Sequence, residues 1–552
     1  MNPDWFPWPD KAACIFDIFR HVPRGIFSEA QMELILWALD AFGVDNAPSV
    51  DVMKSVDEYL QSLCGIHTKR FTGALGHVYY MNDLAGIIRQ EMGNPLIQKH
   101  LHHYPEDSGK YLEHAWQAEA WRNQNVTMAT PMIRKDGQDF YVFEIARLTS
   151  GQLVMPFRWI TRGRNGIPSC EEQDLYALAW TVESDVAAKS YCINQNHIIQ
   201  FPTSSLLSSL PRILETFAID GISDPRNIQG MCIIHSASSD THCYGIGIIK
   251  SGQQDLEPWT YTTAEDGFMN RWRTRSHGHP VYSFAMWLYC DDTSGNVSKK
   301  WNKHNSFLFT AAGLSREHVQ KQSNIHFLST SNLAPPLEML DGVVEQLEYG
   351  QAEGYWAWDV ELQEMVLVFP SVLAMLGDNP MQSEFACHVG LTGKFFCRCC
   401  WAKGKDAENE EPDLRTFDDS ASVQSDASEN SQSGKRKRRV ETMGELVARA
   451  KRFLGDSALR NKSETVAQLH SIFAKTSTIY GKTEARKLIT ASGTKDMFLE
   501  HFRDKVLTFI AKLPKSLSRD EKQAEIDRHI KEVMPANIFS PVWRIKGEIT
   551  HH

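Results

Sequence analysis

The chain lacks the features that would place it in several protein classes. Its 552 residues include only 11 cysteines, too sparse for a small disulfide-stapled scaffold. The amino terminus, Met1-Asn2-Pro3-Asp4-Trp5, has no basic stretch followed by an apolar run, so no secretory signal is expected. No run of about 18 apolar residues occurs, so no segment reads as membrane-spanning. Excess positive charge is missing too: 58 Lys+Arg against 68 Asp+Glu leave a net −10. That balance argues against a protein that coats nucleic acid over its whole surface, but leaves room for a local basic site. These absences predict an intracellular protein with reduced or metal-bound cysteines, in which the sequons at Asn125, Asn296 and Asn461 are coincidental.

The composition that remains is globular, with 42% apolar and 23% charged residues, enough for a sizeable core. At about 150 residues per domain the length suggests three or four units, or two with a large insertion. The first 125 residues read as a mainly helical lobe. Ser28 and Gln31 form a capping-box pattern, and Met32, Ile35, Leu36, Leu39 and Phe42 follow as one predicted buried stripe. A second helix is expected near 50–63 with Val52, Val56, Tyr59, Leu60 and Leu63 inward. Two such helices could form a DNA-reading helix-turn-helix, or simply a small packed lobe.

Residues 126–402 change to short β-like runs: Phe140–Ile145, Met231–His235, Tyr244–Ile249, Val281–Cys290 and Met365–Leu376. Pro370 is expected to bend the last of these or mark its start. Uninterrupted apolar runs of this kind suit central strands buried on both faces, and Pro336–Leu347 between them reads as a helix. Residues 403–440 read as an unfolded linker. Asp406–Ser433 holds nine acidic residues against Arg415, a net −8, and Lys435-Arg436-Lys437-Arg438-Arg439 follows. Residues 441–552 read as helical.

Both long apolar runs end in acid. Val281–Cys290 leads into Asp291-Asp292, and Met365–Leu376 leads through Gly377 into Asp378. Rigid strand ends that hold carboxylates side by side can bind Mg²⁺ or Mn²⁺ for phosphoryl transfer; the same residues also suit ordinary strand-ending turns. Cys397 and Cys400 have the spacing of two ligands to one Zn²⁺, with Cys387 and His388 as nearby suppliers. Reduced structural thiols are the plain alternative. The basic run Lys435–Arg439 fits a nuclear-import signal or a phosphate-contacting patch, or else a counterweight to the acidic tract. Arg271-Trp272-Arg273-Thr274-Arg275 and Lys299-Lys300-Trp301-Asn302-Lys303-His304 interleave basic and aromatic residues as backbone-contacting patches do, and as exposed loops also do.

Several segments together resemble one family. They are Trp8-Pro9-Asp10-Lys11, Leu63-Cys64-Gly65-Ile66, Tyr104-Pro105-Glu106-Asp107, Asp291–Asn296 with Lys300–Lys303, and Ser331–Pro336. The most specific is Gly377-Asp378-Asn379-Pro380-Met381-Gln382-Ser383-Glu384-Phe385-Ala386-Cys387-His388, continuing to Phe396-Cys397-Arg398-Cys399-Cys400. The chain resembles the Plavaka-type transposase-like proteins of mushroom-forming fungi, relatives of the CACTA and Kyakuja–Dileera–Zisupton transposases, over nearly its whole length apart from the acidic tract.

The resemblance implies an α/β (α+β) fold: an RNase H-like mixed sheet, here incomplete, with an N-terminal helical lobe and a C-terminal helical insertion. It implies metal-dependent DNA cleavage and strand transfer, with Asp291 (or Asp292) as the first acid and Asp378 as the second. Cys397 and Cys400 match the family's cysteine pair. Ser540–Gly547 resembles a segment that continues further in the family, where a third, helix-borne acid would follow. Glu500, Glu525 and Glu532 lie on expected helices but in no matching context. The expectation is therefore a nuclear, transposase-derived relic with little strand-transfer activity, ancestrally partnered by DNA. A non-catalytic DNA- or protein-binding role is the alternative, and self-association is left open.

Overall fold

A computed structural model describes residues 3–21, 27–44, 46–109, 112–163, 175–185, 190–221, 228–229, 247–249, 256–258, 269–294, 303–391, 393–402, 442–454 and 458–546. The expected strand Met231–His235, the linker 403–440 and the basic run Lys435–Arg439 lie outside these residues. The chain is of α/β class, and its contacts divide it into two compact units. The first comprises residues 1–69 and 82–87, and the second comprises 70–81 and 88–552.

The first unit is built on helices α1 (Lys11–His21), α2 (Glu29–Ala41) and α3 (Val50–Cys64), packed around Phe16, Met32 and Met53. The capping box forms as its sequence requires: Ser28 accepts from Gln31 N and Gln31 Oε1 accepts from Ser28 N at 2.8 Å. Two details differ from the sequence reading. Phe42 is 85% exposed, because it caps the end of α2 beyond its last turn. In α3 the expected Val56 is buried and Tyr59 and Leu60 are half-buried, but Val52 and Leu63 are exposed and Met53 takes an inward place outside the predicted stripe.

The second unit carries two seven-stranded sheets. Apart from Thr68, Lys69 and Asn82, which count with the first unit, the strands of these sheets are β1 (Thr68–Thr72), β2 (Val78–Asn82), β3 (Ala146–Leu148), β4 (Leu153–Arg162), β5 (Leu175–Asp185), β6 (Ser190–Pro202), β7 (Leu206–Ser208), β8 (Ile228–Gln229), β9 (Val281–Ser294), β10 (Lys303–Ala311), β11 (His326–Ser331), β12 (Tyr355–Asp359) and β13 (Glu364–Leu376). One sheet runs β1-β2-β11-β10-β9-β13-β12. The other runs β7-β3-β4-β5-β6-β8, with Glu106–Asp107 paired parallel to β4. Of the run Phe140–Ile145, only residues to Tyr141 are strand. Phe143 turns the chain at φ 61° and stays buried, because apolar runs fill cores as readily from turns as from strands.

The first sheet positions the acids. β9, β10 and β11 are consecutive antiparallel neighbours; helix α4 (Pro336–Glu353) then crosses back, and β13 pairs parallel to β9. β9 is central, and Val281, Phe284, Met286, Leu288 and Cys290 are each at most 1% exposed. Burial of each such large side chain contributes about 1.5–3 kcal/mol. The inward residues of α4 are those expected: Leu337, Leu340, Val343, Val344 and Leu347.

Pro370 neither bends nor starts β13. It pairs opposite Phe284 within an unbroken strand. Leu367 N donates to Pro280 O on the β9 side, so by alternation the backbone of Pro370 faces the other way. There β12 has already ended, its last pair being Tyr355↔Val368. The missing N–H costs no ladder bond, and Pro370 O accepts from Gln351 Nε2 at 3.3 Å.

Helices α5 (Asn379–Phe385), α6 (Met443–Leu454), α7 (Lys462–Thr476), α8 (Lys482–Ser492), α9 (Met497–Lys512) and α10 (Arg519–Val533) complete the described elements around the site and its carboxyl side.

Candidate metal centre

The register of β9 on β13 brings the acids together. The ladder passes a one-residue bulge between Met286↔Val372 and Trp287↔Ala374 and ends at Tyr289↔Leu376. Asp291 stands two residues further along β9, and Asp378 stands two residues past Leu376, just beyond the end of β13. Asp291, Asp292 and Asp378 each offer a carboxylate oxygen within 4.8 Å of the others.

Each acid is held by its own segment. Tyr289, two residues back on the same strand face, donates its hydroxyl to Asp291 Oδ2 at 2.6 Å. That bond, with burial, pushes the tyrosine up to about 12. Asp291 Oδ1 accepts from Asp292 N at 2.8 Å. Asp378 is the N-cap of α5, and its Oδ1 accepts from Met381 N at 2.8 Å. Lys303 Nζ, at the start of β10, lies 3.1 Å from Asp292 Oδ2. Glu384, further along α5, is raised above its ordinary value by burial and by Asp378, against Lys303 and Lys495.

The donors are all carboxylate oxygens on partly open strand ends, the set that Mg²⁺ or Mn²⁺ prefers. Asp291 is half-buried while Asp292 and Asp378 are exposed, so an ion and its waters have access. The residues fit a divalent hard cation.

The cysteines are arranged differently. Cys397 and Cys400 are neighbours in a loop fixed by Arg460. Arg460 Nε donates to Cys397 O (3.2 Å) and Cys400 O (3.3 Å), Nη2 donates to Ser492 O (3.0 Å), and the backbone N donates to Cys399 O (2.9 Å). Its guanidinium stacks over Trp401 at 4.0 Å. Burial raises the Cys397 thiol, but hydrogen bonds from Cys399 and Cys400, with the Arg460 charge, bring it below its ordinary value.

Cys387 is turned instead into a buried corner with Asp496, Trp543 and Ser540, and burial raises its thiol well above the ordinary range. His388 accepts from Gly390 N at Nδ1 (3.0 Å), and burial with the nearby Arg460 charge lowers it to about 4. Among the described residues, neither joins Cys397 and Cys400 in a group whose ligand atoms could share one ion. The pair therefore lacks the two further ligands that a closed zinc site needs.

Of the basic–aromatic runs, Lys299–Asn302 lie outside the described residues, and Arg271–Arg275 is tied into the fold. Trp272 is buried and stacks on Phe369 at 4.7 Å. Arg273 pairs with buried Glu144 at 2.6 Å, Arg271 donates to Gln351 O, and Arg275 lies 3.8 Å from Glu353. That cluster joins elements of the fold and is not a free basic patch. Glu500 pairs with Arg503 and Glu525 with Arg528. Neither these nor Glu532 belong to a metal-competent group among the described residues.

Sequence reasoning missed Tyr289 and Arg460, and named Lys303 only within a basic run, not as a neighbour of Asp292. Only Tyr289 had a readable signal, its place two residues before Asp291 on one strand face.

Residues 132–282 match the family model described as a domain of unknown function, DUF8591. The match covers the second sheet apart from Glu106–Asp107 and ends inside β9, before Asp291. No curated protein matches the chain.

Proposed function

We propose that the chain is a transposase-derived protein in which Asp291 and Asp378, with Asp292 beside them, hold Mg²⁺ or Mn²⁺ at a site inherited from DNA cleavage and strand transfer, with the third acid of that chemistry missing among the described residues. The observation that carries this reading is the convergence of the three carboxylates at the ends of adjacent parallel strands. The element order supports an RNase H-like core with one addition: three antiparallel strands, a crossing helix, the edge strand β12, then a strand parallel to the first. Metal bound there would supply an activated nucleophile and stabilise the leaving oxygen. The chain's own groups do the positioning: Tyr289 orients Asp291, the Met381 amide orients Asp378, and Lys303 sits beside Asp292. Zinc forms no part of this proposal, because the described residues do not complete a site around Cys397 and Cys400.

A non-catalytic relic that binds DNA or protein has one observation in its favour. Lys303 already neutralises Asp292 at 3.1 Å, as an ion otherwise would. Nicking of supercoiled plasmid in Mg²⁺ or Mn²⁺ separates the two readings. Metal-dependent cleavage should fall by more than about 100-fold in Asp291→Ala and in Asp378→Ala. Equal activity in wild type and both variants removes the acids from the mechanism. DNA binding without metal-dependent cleavage favours the relic. The same reading locates the protein in the nucleus through Lys435–Arg439, and replacing all five by Ala should abolish nuclear accumulation of a fluorescent fusion.

A further inference from the structure

Helix α2 has two apolar faces, where a surface helix ordinarily has one. Met32, Ile35, Leu36 and Leu39 face the core of the first unit. The opposite side presents Ala30, Leu34, Trp37 and Ala41 to solvent, with Leu34 63% and Trp37 67% exposed. These four recur at steps of four, three and four residues. That is the spacing of a heptad seam, along which a second helix can dock for several turns.

The seam's charge is one-sided. Glu29, Glu33 and Asp40 line one flank, Gln31 and Ala38 line the other, and α2 contains no Lys or Arg. Glu29 pairs with Lys54 at 3.0 Å. Glu33 and Asp40 are exposed and have no cationic partner among the described residues. An exposed Trp at the centre of an apolar stripe is the residue type that anchors protein interfaces.

We infer that this face of α2 docks an amphipathic helix of a partner protein, one whose apolar stripe is flanked by Lys or Arg. A second copy of the chain is the poorer occupant. Its own α2 would bring more acid and no cation to Glu33 and Asp40, so the charge that marks one flank would go unanswered.

The test uses the full chain and two fluorescently labelled helical peptides, read by anisotropy. Both carry Leu at the seam positions; one has Lys at the flanking positions and the other Glu. The Lys peptide should bind at least about tenfold more tightly than the Glu peptide. Leu34→Glu should remove that binding, and Glu33→Lys with Asp40→Lys should reverse the preference. The replaced side chains are exposed, so melting temperatures should be unchanged. If Leu34→Glu melts lower, Trp37→Ala takes its place. Equal binding of both peptides, or binding of neither, overturns the inference. So does a dimer in sedimentation velocity that Leu34→Glu dissolves, since a second copy would then cover the face.

Discussion

The acid cluster and the cysteine loop show two ways for residues to be close. Asp291 and Asp378 are 87 positions apart in sequence, yet the parallel register of β9 and β13 makes them neighbours. Cys387, His388, Cys397 and Cys400 lie within 14 consecutive residues, yet the chain sends them to different environments. Cys387 faces Asp496 and Trp543, while Cys397 and Cys400 curl around Arg460. Register is a rigid constraint: beyond the one-residue bulge that follows Met286↔Val372, each added residue advances both strands equally up to Tyr289↔Leu376. Spacing in a loop is not, since neighbouring residues can point to opposite sides of the backbone.

The strongest way to break this contrast is to release the loop. Arg460→Ala removes a buried cation that satisfies the carbonyls of Cys397, Cys400 and Ser492. It should cost about 2–4 kcal/mol in a denaturant melt, yet leave divalent-metal binding at the acids unchanged. Equal loss of both would mean that the two regions are one structural element.

Acidification tests burial more generally. Burial lowers His102 and His103 to about 4 from an ordinary 6.5. Both are neutral in the folded chain, whereas the unfolded chain takes up their protons near 6.5. Their contribution to stability is therefore complete above that value and is lost as pH falls toward 4. Each is worth on the order of 3 kcal/mol across the window. Asp496, raised to about 6 chiefly by burial, acts in the opposite sense: its unfavourable native charge is relieved as pH falls from about 6. His388, lowered likewise to about 4, adds to the two histidines, and Glu384, raised by burial, adds to Asp496. With three histidines against two carboxylates, the melting temperature should drop between pH 6.5 and 4. His102→Gln should flatten that slope, and an unchanged slope would remove burial of His102 as its cause.

The smallest effect sharpens the acid side. Tyr289→Phe deletes one hydroxyl that orients Asp291. It should weaken Mn²⁺ binding by about tenfold without changing the melting temperature. No change in affinity would make Tyr289 a bystander.

How much of this could be read from sequence follows the same division. The two buried strands, their acidic ends and the helix α4 were legible, because long apolar runs and helical periodicity are local signals. That Asp291 and Asp378 meet was legible only as an expectation, since register is settled by pairing across the sheet. The strands of the second sheet were not named from sequence, because alternation in β3 to β6 is interrupted by residues such as Pro156 and Asn194. Arg460 was invisible: it lies more than 60 residues beyond Cys397 and acts through backbone carbonyls, which leave no trace in residue type. The exposure of Trp37 was equally hidden, since an apolar residue does not announce which face of a helix it takes.

The most direct test of the central claim is Mn²⁺ titration of the full chain followed by electron paramagnetic resonance, which reports bound metal whether or not the protein cleaves DNA. Saturable Mn²⁺ binding should be lost in Asp291→Asn and in Asp378→Asn but persist when Cys397 and Cys400 are both replaced by Ser. Binding that is unchanged in both aspartate variants would contradict it.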